Sequence, residues 1–437
     1  MAGWRARFRL AAIGCLGAAV AGCSTADKFG DRGVEYNAQI LDSQNKTILL
    51  NIVRASLRHP LAFTSLATVS GTATVSGTLG FNIPFVMNTA DNAFYGANPQ
   101  AGVSGGPTFT VNNLDTQEFT QGILKPIPMQ VIDYYLQDGI PPEIIYYLLI
   151  GKVVISGDND TPIAALYNST ESADDFASFQ SFIAATSRLR LRTEEVDRAK
   201  DIGPRLLARD LTAISAMTSA DQAGLEVATL DVKTLPTAEA APFKAKNITQ
   251  VYQLRKVSPD YRFCFDISGD RKAQFTVGGV SYFIEPSADS FCGAANAEVA
   301  HHAAEDRDFE MKITRLDGKS MSSSAQKFEV YPRSTEGVIY YLGELIRAQF
   351  KANPGWSPVS VSVGGGQATF FNVHAGEPLP NTLVSVNYLG RTYNLGGADG
   401  DSSDRSAQVF NILTQLINLN KSAKDAPAAS VVTLVGH

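Results

Sequence analysis

Apolar residues between Val34 and Leu57 recur at steps of three and four, which predicts a long amphipathic helix. Because proline cannot continue a helix, we expect this one to end before Pro60. The apolar residues that recur in this way are Leu41, Ile48, Leu49, Ile52, Val53 and Leu57.

From Phe63 to Phe85 the pattern changes to a period of two. Most odd positions are apolar or Gly and the even positions are mainly Thr, Ser or Asn, with Leu66 as the one clear exception. Such alternation is typical of an extended strand with two different faces. A Gly- and Asn-rich connection follows from Asn88 to Gly106, and Phe109 and Val111 then alternate with polar residues, which predicts an antiparallel return strand.

The pattern from Leu114 to about Arg192 predicts several helices. Short helices are predicted from Leu114 to Val154, opened by prolines and ended by Gly139, and a longer one from Ala173 to about Arg192. The inner face of the longer helix is predicted to be Phe176, Phe179, Phe182, Ile183 and Leu189. Residues 218–248 are rich in Ala and Thr without clear periodicity, so we predict a linker there.

Residues 249–423 are dominated by strand and turn signals. Gly278-Gly279 between two β-rich runs predicts a tight hairpin, and further hairpins are predicted at 364–366 and 389–390. Helices are predicted after Ser334 and from about Asp404 to Leu419. The last helix is expected to pack inward through Val409, Phe410, Leu413, Leu416 and Ile417.

The N-terminus has the layout of a secretory signal, in which a basic start with Arg5, Arg7 and Arg9 precedes a short apolar run. Residues 20–23, Val-Ala-Gly-Cys, resemble the lipobox of bacterial lipoproteins. The resemblance implies cleavage before Cys23 and a diacylated, N-acylated Cys23 as the first residue. An uncleaved anchor is the alternative, but the apolar run is shorter than the roughly 20 residues of a spanning helix. Ser24 follows, and by resemblance to enterobacterial lipoproteins it implies the outer membrane. The body is expected to face the periplasm, although the sequence does not determine which leaflet holds the lipid.

These elements predict an α+β protein in two parts. Residues 34–217 would hold an N-terminal helix, a long amphipathic β-hairpin and short helices, and residues 249–423 an α+β domain with an antiparallel sheet. Residues 1–22 would be the signal peptide, 23–33 a lipidated tether and 424–437 a tail. A chain of more than 400 residues normally forms more than one domain.

Charge and cysteine content narrow the class further. Cleavage removes three arginines and no acidic residue, which takes the formal net charge from −6 to −9 and argues against nucleic-acid binding. Cys15 would be removed with the signal peptide and Cys23 would carry the lipid, so Cys264 and Cys292 are the two cysteines left. In an oxidising compartment these two are a predicted disulfide, with two buried thiols as the alternative.

Three stretches are similar to an uncharacterised family of bacterial envelope lipoproteins. They are Ile48-Leu49-Leu50-Asn51-Ile52-Val53-Arg54-Ala55, Gly122-Ile123-Leu124-Lys125-Pro126-Ile127-Pro128 and Tyr388-Leu389-Gly390-Arg391-Thr392-Tyr393. The resemblance implies an envelope lipoprotein, and it brings no activity and no catalytic residues with it.

No candidate catalytic or metal site has a complete set of partners in the sequence. The run Gly102–Gly106 matches G-x-S-x-G around Ser104, but a nucleophile elbow needs a helix directly after the serine and a Thr-rich run follows here. His301, His302 and Glu305 offer too few metal ligands. Asp399, Asp401 and Asp404, like residues 158–160, suit a turn and a helix cap better than a calcium loop.

We therefore predict a non-enzymatic outer-membrane lipoprotein that acts as a scaffold or assembly factor, with no cofactor besides the lipid on Cys23. Its expected partners are the membrane and other envelope proteins, bound by strand addition to exposed edges. The first alternative is a subunit of an oligomeric export channel, because segments with one apolar and one polar face are typical of membrane strands. The second alternative is an envelope hydrolase that uses Ser104.

Overall fold

The computed structural model describes residues 28–81, 97–114, 116–157, 161–210, 225–294, 308–316, 326–351, 358–378, 380–396 and 403–421. The fold is mixed α+β, and every pair of described strands is antiparallel, which confirms the predicted class. The helices of the described residues are α1 (Lys28–Ser56), α2 (Gln117–Leu124), α3 (Met129–Gln137), α4 (Pro142–Leu149), α5 (Ala173–Arg188), α6 (Thr237–Lys244), α7 (Thr335–Phe350) and α8 (Ser406–Leu419).

The first eight strands are β1 (Thr64–Phe81), β2 (Ala97–Asn113), β3 (Ile150–Ser156), β4 (Pro162–Tyr167), β5 (Leu191–Leu206), β6 (Leu225–Asp231), β7 (Gln250–Phe265) and β8 (Ala273–Val277). The remaining strands are β9 (Val280–Pro286), β10 (Asp308–Arg315), β11 (Gln326–Pro332), β12 (Ser360–Val363), β13 (Gly366–Thr369), β14 (Val373–Ala375), β15 (Thr382–Tyr388) and β16 (Arg391–Gly396).

The largest sheet joins the two parts that the sequence analysis separated. Its strand order is β4-β3-β11-β10-β9-β8, and β3 pairs with β11 through register partners such as Val153 and Val330. One hydrophobic core runs from Ile48 to Ile417. The predicted division into a 34–217 domain and a 249–423 domain is therefore wrong, because strands from both ranges need each other as sheet neighbours.

The end of the predicted short-helix region is also corrected. Residues 150–156 are strand β3, not a continuation of the helices to Val154. The run Ile144–Ile155 is almost continuously apolar, and periodicity does not distinguish a buried helix from a buried strand in such a run.

Helix α5 ends at Arg188, earlier than the predicted Arg192. The backbone carbonyls of Arg188 and Arg190 accept hydrogen bonds from the amides of Asp270 and Asp266, at 3.0 and 3.1 Å. Arg190 has a φ of 53°, a left-handed conformation that turns the chain from the helix into β5. The incoming 266–270 loop, which is remote in sequence, therefore sets the helix end. The predicted inner face of α5 is buried.

Residues 225–231 and 237–244 form β6 and α6, so the linker predicted at 218–248 is wrong for these segments. β6 joins β5 and β7 in a three-stranded sheet with the order β5-β7-β6. A small second core of Val232, Ala240 and Val251 lies beside it. Its few small apolar residues leave no clear period in the sequence.

Helices α1 and α7 cross at Gly343. A Cβ atom at this position would lie 2.7 Å from Cβ of Ala55 and 2.8 Å from the backbone nitrogen of Ser56. The last two carbonyls of α1, those of Ala55 and Ser56, accept hydrogen bonds from the guanidinium of Arg347 at 3.0 and 2.7 Å. The glycine allows the close approach, and the arginine caps the helix end that this approach buries.

Candidate functional site

The most distinctive feature is a two-stranded sheet formed by β1 and β2, which we call the ribbon. The two strands pair with each other over almost their whole length, from Thr64 opposite Asn113 to Phe81 opposite Ala97, and no other described strand pairs with either one. At about 3.4 Å per residue the ribbon is about 55 Å long. The outer edges of both strands are therefore without sheet neighbours in the described part of the chain.

The register of the ribbon places apolar positions opposite apolar positions. Val69 is opposite Phe109, Val75 is opposite Val103, and the odd positions between and beyond them hold Ala, Leu, Gly, Pro or Phe. Even positions pair Thr, Ser, Gly, Asn and Gln with one another, as Thr74 does with Ser104. Because directly opposed residues of an antiparallel pair belong to the same face, one face of the ribbon is apolar and the other is polar.

A one-residue irregularity near the root of the ribbon accounts for the exception at Leu66. The register shifts between Leu66 and Thr68, so Ala67 has no partner and Leu66 lies opposite Val111. Val111 and Phe109 share a face because they are two residues apart in an unbroken strand. The bulge therefore returns Leu66 to the apolar face, because one extra residue in a strand reverses which positions belong to each face of the sheet.

The root of the ribbon is fixed to the body by specific contacts. Asn51 of α1 donates to the carbonyl of Ala62 at 2.8 Å and accepts from the amide of the same residue at 3.0 Å. The ring of Phe63 is buried against that of Phe119, with centroids 5.2 Å apart. Leu114, at the other strand's end, is also buried. These contacts hold the root of the ribbon, where β1 begins and β2 ends, against α1 and α2.

Residues 48–55 and 388–393, two of the three stretches in which the sequence resembles envelope lipoproteins, meet at the end of α1. The guanidinium carbon of Arg54 lies 5.8 Å from the ring centroid of Tyr388, whose hydroxyl is 2.8 Å from Nδ1 of His59. The third stretch lies at the start of α7, where the amide of Ile127 donates to the carbonyl of Arg333 at 2.9 Å. All three stretches therefore contribute to packing around α1 and α7.

Arg333 binds backbone carbonyls where α4 ends and β3 begins. Its Nη1 donates to the carbonyls of Tyr147, Leu148 and Ile150 at 2.9, 3.1 and 2.8 Å. Its Nη2 donates to the carbonyl of Asn168, and the guanidinium lies 3.8 Å from the ring centroid of Tyr341. Burial lowers the pKa of Arg333 to about 10, so the group remains charged at neutral pH.

Cys264 and Cys292 are joined by a disulfide, with their Cα atoms 4.9 Å apart. With Glu194 they form the one group of three possible metal ligands within the described residues. Oxidised sulfurs do not coordinate a metal, and Glu194 forms an ion pair with Arg262 at 2.6 Å. This cluster therefore ties β5 and β7 to the segment around Cys292.

A cleft of about 300 Å³ opens between the start of α4 and the start of β5. It is lined by Pro142, Glu143, Ser187, Arg190, Leu191, Arg192 and Ser362. Oε2 of Glu143 accepts from the amide of Ser362 at 2.6 Å. Burial raises the pKa of Glu143 above its ordinary value, and the hydrogen bond from the Ser362 amide opposes the shift. Arg192 also forms an ion pair with Asp266, in which Nη2 lies 3.5 Å from Oδ2.

The predicted site residues are not brought together. Ser104 lies inside β2 with strand on both sides, so the G-x-S-x-G run is neither the predicted loop nor a strand-to-helix turn. Oδ1 of Asp404 accepts from the amide of Ser406 at 2.8 Å, next to the start of α8. The other predicted residues lie outside the described residues. They are Cys23, residues 158–160, His301, His302, Glu305, Asp399 and Asp401.

The described helices include none with the length and apolar character needed to cross a bilayer. Comparison of the chain with protein-family models, with curated proteins and with solved structures finds no match.

Proposed function

We propose that this chain is a non-enzymatic lipoprotein of the outer membrane, which acts as a scaffold or assembly factor for other envelope proteins. Lipid on Cys23 would hold the body at the membrane on its periplasmic side. The ribbon would take partners by strand addition, in which backbone hydrogen bonds supply affinity and side-chain faces supply specificity.

The observation that carries this proposal is the pair of long strands whose outer edges have no described neighbour. Exposed strand edges are hazardous, and proteins normally blunt them with charges, prolines or a covering segment. Neither β1 nor β2 contains a charged residue. A long uncharged edge that is kept in spite of this hazard is expected where another chain pairs with it.

An oligomeric export channel is the second candidate, and the two-faced register of the ribbon favours it. Strands of about ten residues cross a membrane when tilted, and each strand of the ribbon is longer than that. A single ribbon would leave its edges unpaired in lipid, where each unpaired backbone group costs several kcal/mol. The channel therefore requires a ring of copies.

The native mass of the mature protein, extracted from outer membranes in mild detergent, separates the two. A stable complex with other envelope proteins is the result expected for a scaffold. A homo-oligomer large enough to form a ring would favour the export channel over the scaffold. A monomer that captures no partner, even after cross-linking in intact cells, would contradict both.

The hydrolase alternative has a direct chemical test. Ser104 lies within a strand, without the tight turn that exposes a catalytic serine. We expect no labelling of the protein by a fluorophosphonate probe, and no difference in labelling between the wild type and Ser104→Ala. Labelling that Ser104→Ala abolishes would instead establish a reactive serine.

A further inference from the structure

The two outer edges of the ribbon differ in their prolines. β2 contains Pro99 and Pro107, and β1 contains none. Pro99 is opposite Leu79 and Pro107 is opposite Gly71, and pairing continues without interruption through both. The two prolines are eight residues apart, so their backbone nitrogens point to the same side of the strand.

That side is the outer edge of β2. A proline has no N–H to give to a ladder, so within a sheet it lies where that position faces away from the neighbouring strand. In an antiparallel pair, residues that are opposite each other direct their backbone groups either both inward or both outward. The odd positions of both strands therefore direct their backbone groups outward, and the edge of β2 lacks two of its donors.

The outer edge of β1 is complete. Each of its odd positions from Val69 to Phe81 has an N–H, and the whole strand is free of charged residues. By the rules that protect sheet edges, β2 is blunted, whereas the outer edge of β1 has neither a proline nor a neighbouring strand among the described residues. Any strand that joins the ribbon is thus expected to pair with β1.

We infer that the partner of this edge is β1 of a second copy of the chain. A two-fold axis normal to the sheet would pair the two β1 strands in antiparallel fashion, odd positions with odd positions, and give a four-stranded sheet in the order β2-β1-β1-β2. A two-fold interface places like residues near each other, so a charged edge would repel itself. β1 avoids this repulsion, and the prolines of both β2 strands protect the new outer edges.

The same arrangement keeps the two faces intact. Opposed residues of an antiparallel pair share a face, so the apolar positions of both copies would form one surface four strands wide. A ring, by contrast, needs β1 of each copy to pair with β2 of the next, at the edge that the prolines interrupt. The dimer rests on the proposed function and makes it more specific. Strand addition would occur at the edge of β1, and the first partner would be a second copy of the chain.

The test uses two matched proline substitutions in the mature protein in mild detergent. Val75 and Val103 are directly opposite, and both direct their N–H groups outward. Val75→Pro removes one donor from the β1 edge and Val103→Pro removes one from the β2 edge. We expect a wild-type dimer by sedimentation, at least tenfold weaker dimerisation for Val75→Pro, and wild-type dimerisation for Val103→Pro. Circular dichroism of each variant checks that the fold is retained.

Single cysteines give a second readout that does not depend on tolerance of proline. Cysteines placed in turn at Thr72, Thr74, Ser76 and Thr78 of β1 should form a disulfide-linked dimer at the position nearest the axis. Ser104→Cys, on the same face but in β2, should not form one.

Three results would overturn the dimer. A monomer at all concentrations, without cross-linking from any β1 cysteine, removes it but leaves the scaffold function open to other partners. A ring weakened equally by both prolines replaces it with the channel. A dimer that neither proline affects places the contact elsewhere on the molecule.

Discussion

Arg333 donates hydrogen bonds to backbone carbonyls at a point where elements far apart in sequence meet. Its guanidinium serves the carbonyls of three residues at the end of α4 and one more at Asn168. The last carbonyls of a helix have no partner within the helix, and leaving such groups buried and unpaired is costly. The positive charge also suits a helix C-terminus.

Arg333→Met should therefore destabilise the protein by about 3 kcal/mol, since it removes the guanidinium donors while keeping most of the apolar bulk. The side-chain amide of Asn168 still donates to the carbonyls of Tyr147 and Ile150, so the loss falls mainly on those of Leu148 and Asn168. Arg333→Lys keeps the charge but offers a single donor group, so we expect a smaller loss. Urea unfolding followed by tryptophan and tyrosine fluorescence gives both values. Equal stability of the wild type and Arg333→Met would show that water serves these carbonyls equally well.

Glu143 gives a prediction about pH. Because burial raises its pKa above 4.5 in the folded protein, the folded state holds the proton more tightly than the unfolded state does. Its contribution to stability therefore falls as pH rises from 4.5 through the raised pKa. Glu143→Gln keeps an acceptor for the Ser362 amide and removes this dependence.

The difference in unfolding free energy between Glu143→Gln and the wild type should be near zero below pH 4.5. It should then grow in favour of the variant up to neutral pH. A variant that is less stable at pH 7 would mean that the carboxylate is held by a cation in the cleft, for which Arg190 and Arg192 of the lining are the candidates.

At the scale of elements, the crossing of α1 and α7 depends on Gly343. Gly343→Ala would improve helix propensity by about 1 kcal/mol, but the new Cβ meets backbone atoms of α1 that cannot move separately. We expect a net destabilisation of about 1–3 kcal/mol. Gly122→Ala is the control, because its new Cβ would meet only side-chain atoms of Asn420, with Oδ1 as the close contact at 2.8 Å, and no backbone atom. Equal melting temperatures for the two variants would contradict this account.

The disulfide ties β7 to the segment around Cys292 across a loop of 28 residues. Such a bridge contributes about 2–4 kcal/mol, mainly by restricting the unfolded chain. Cys264→Ser should lower the melting temperature under oxidising conditions and leave it unchanged relative to the wild type under reducing ones. An equal loss in both conditions would show that the cysteine matters for packing alone.

Local patterns predicted those elements whose cause is local. Ser334 accepts from the Gly337 amide at 3.0 Å as a helix cap, and Gly278 and Gly279 have the positive φ angles of a tight hairpin turn. Elements that depend on remote partners were missed. β3 is a strand because β11 lies beside it, and α5 ends where the 266–270 loop arrives.

The ribbon illustrates the same limit within one feature. Its alternation was visible in the sequence, but the bulge at Ala67 was not, because only the register with β2 shows that Leu66 returns to the apolar face. The start of β2 at Ala97 was hidden by glycines and asparagines that resemble a loop. The roles of Asn51 and Arg333 at their junctions also had no sequence signal, since their partners are backbone atoms.

For the molecule as a whole, the proposed anchor can be tested without reference to the fold. Growth with an alkyne-tagged palmitate should label the wild type and Cys15→Ala, because Cys15 lies in the predicted signal peptide. Cys23→Ala should not be labelled and should accumulate as the uncleaved precursor. Labelling of Cys23→Ala would place the lipid elsewhere and remove the basis for a lipoprotein.

The pairing of β3 with β11 has a consequence for how the chain acquires its structure. The central sheet joins strands that are almost 180 residues apart, and α1 is capped by Arg347, which lies 291 residues after Ser56. Contacts so distant in sequence form slowly, because a long loop must close before they contribute any stability. Nascent chains that stop before β11 would expose β3 and the inner face of α1. We expect such chains to need protection by a chaperone until synthesis has passed residue 347.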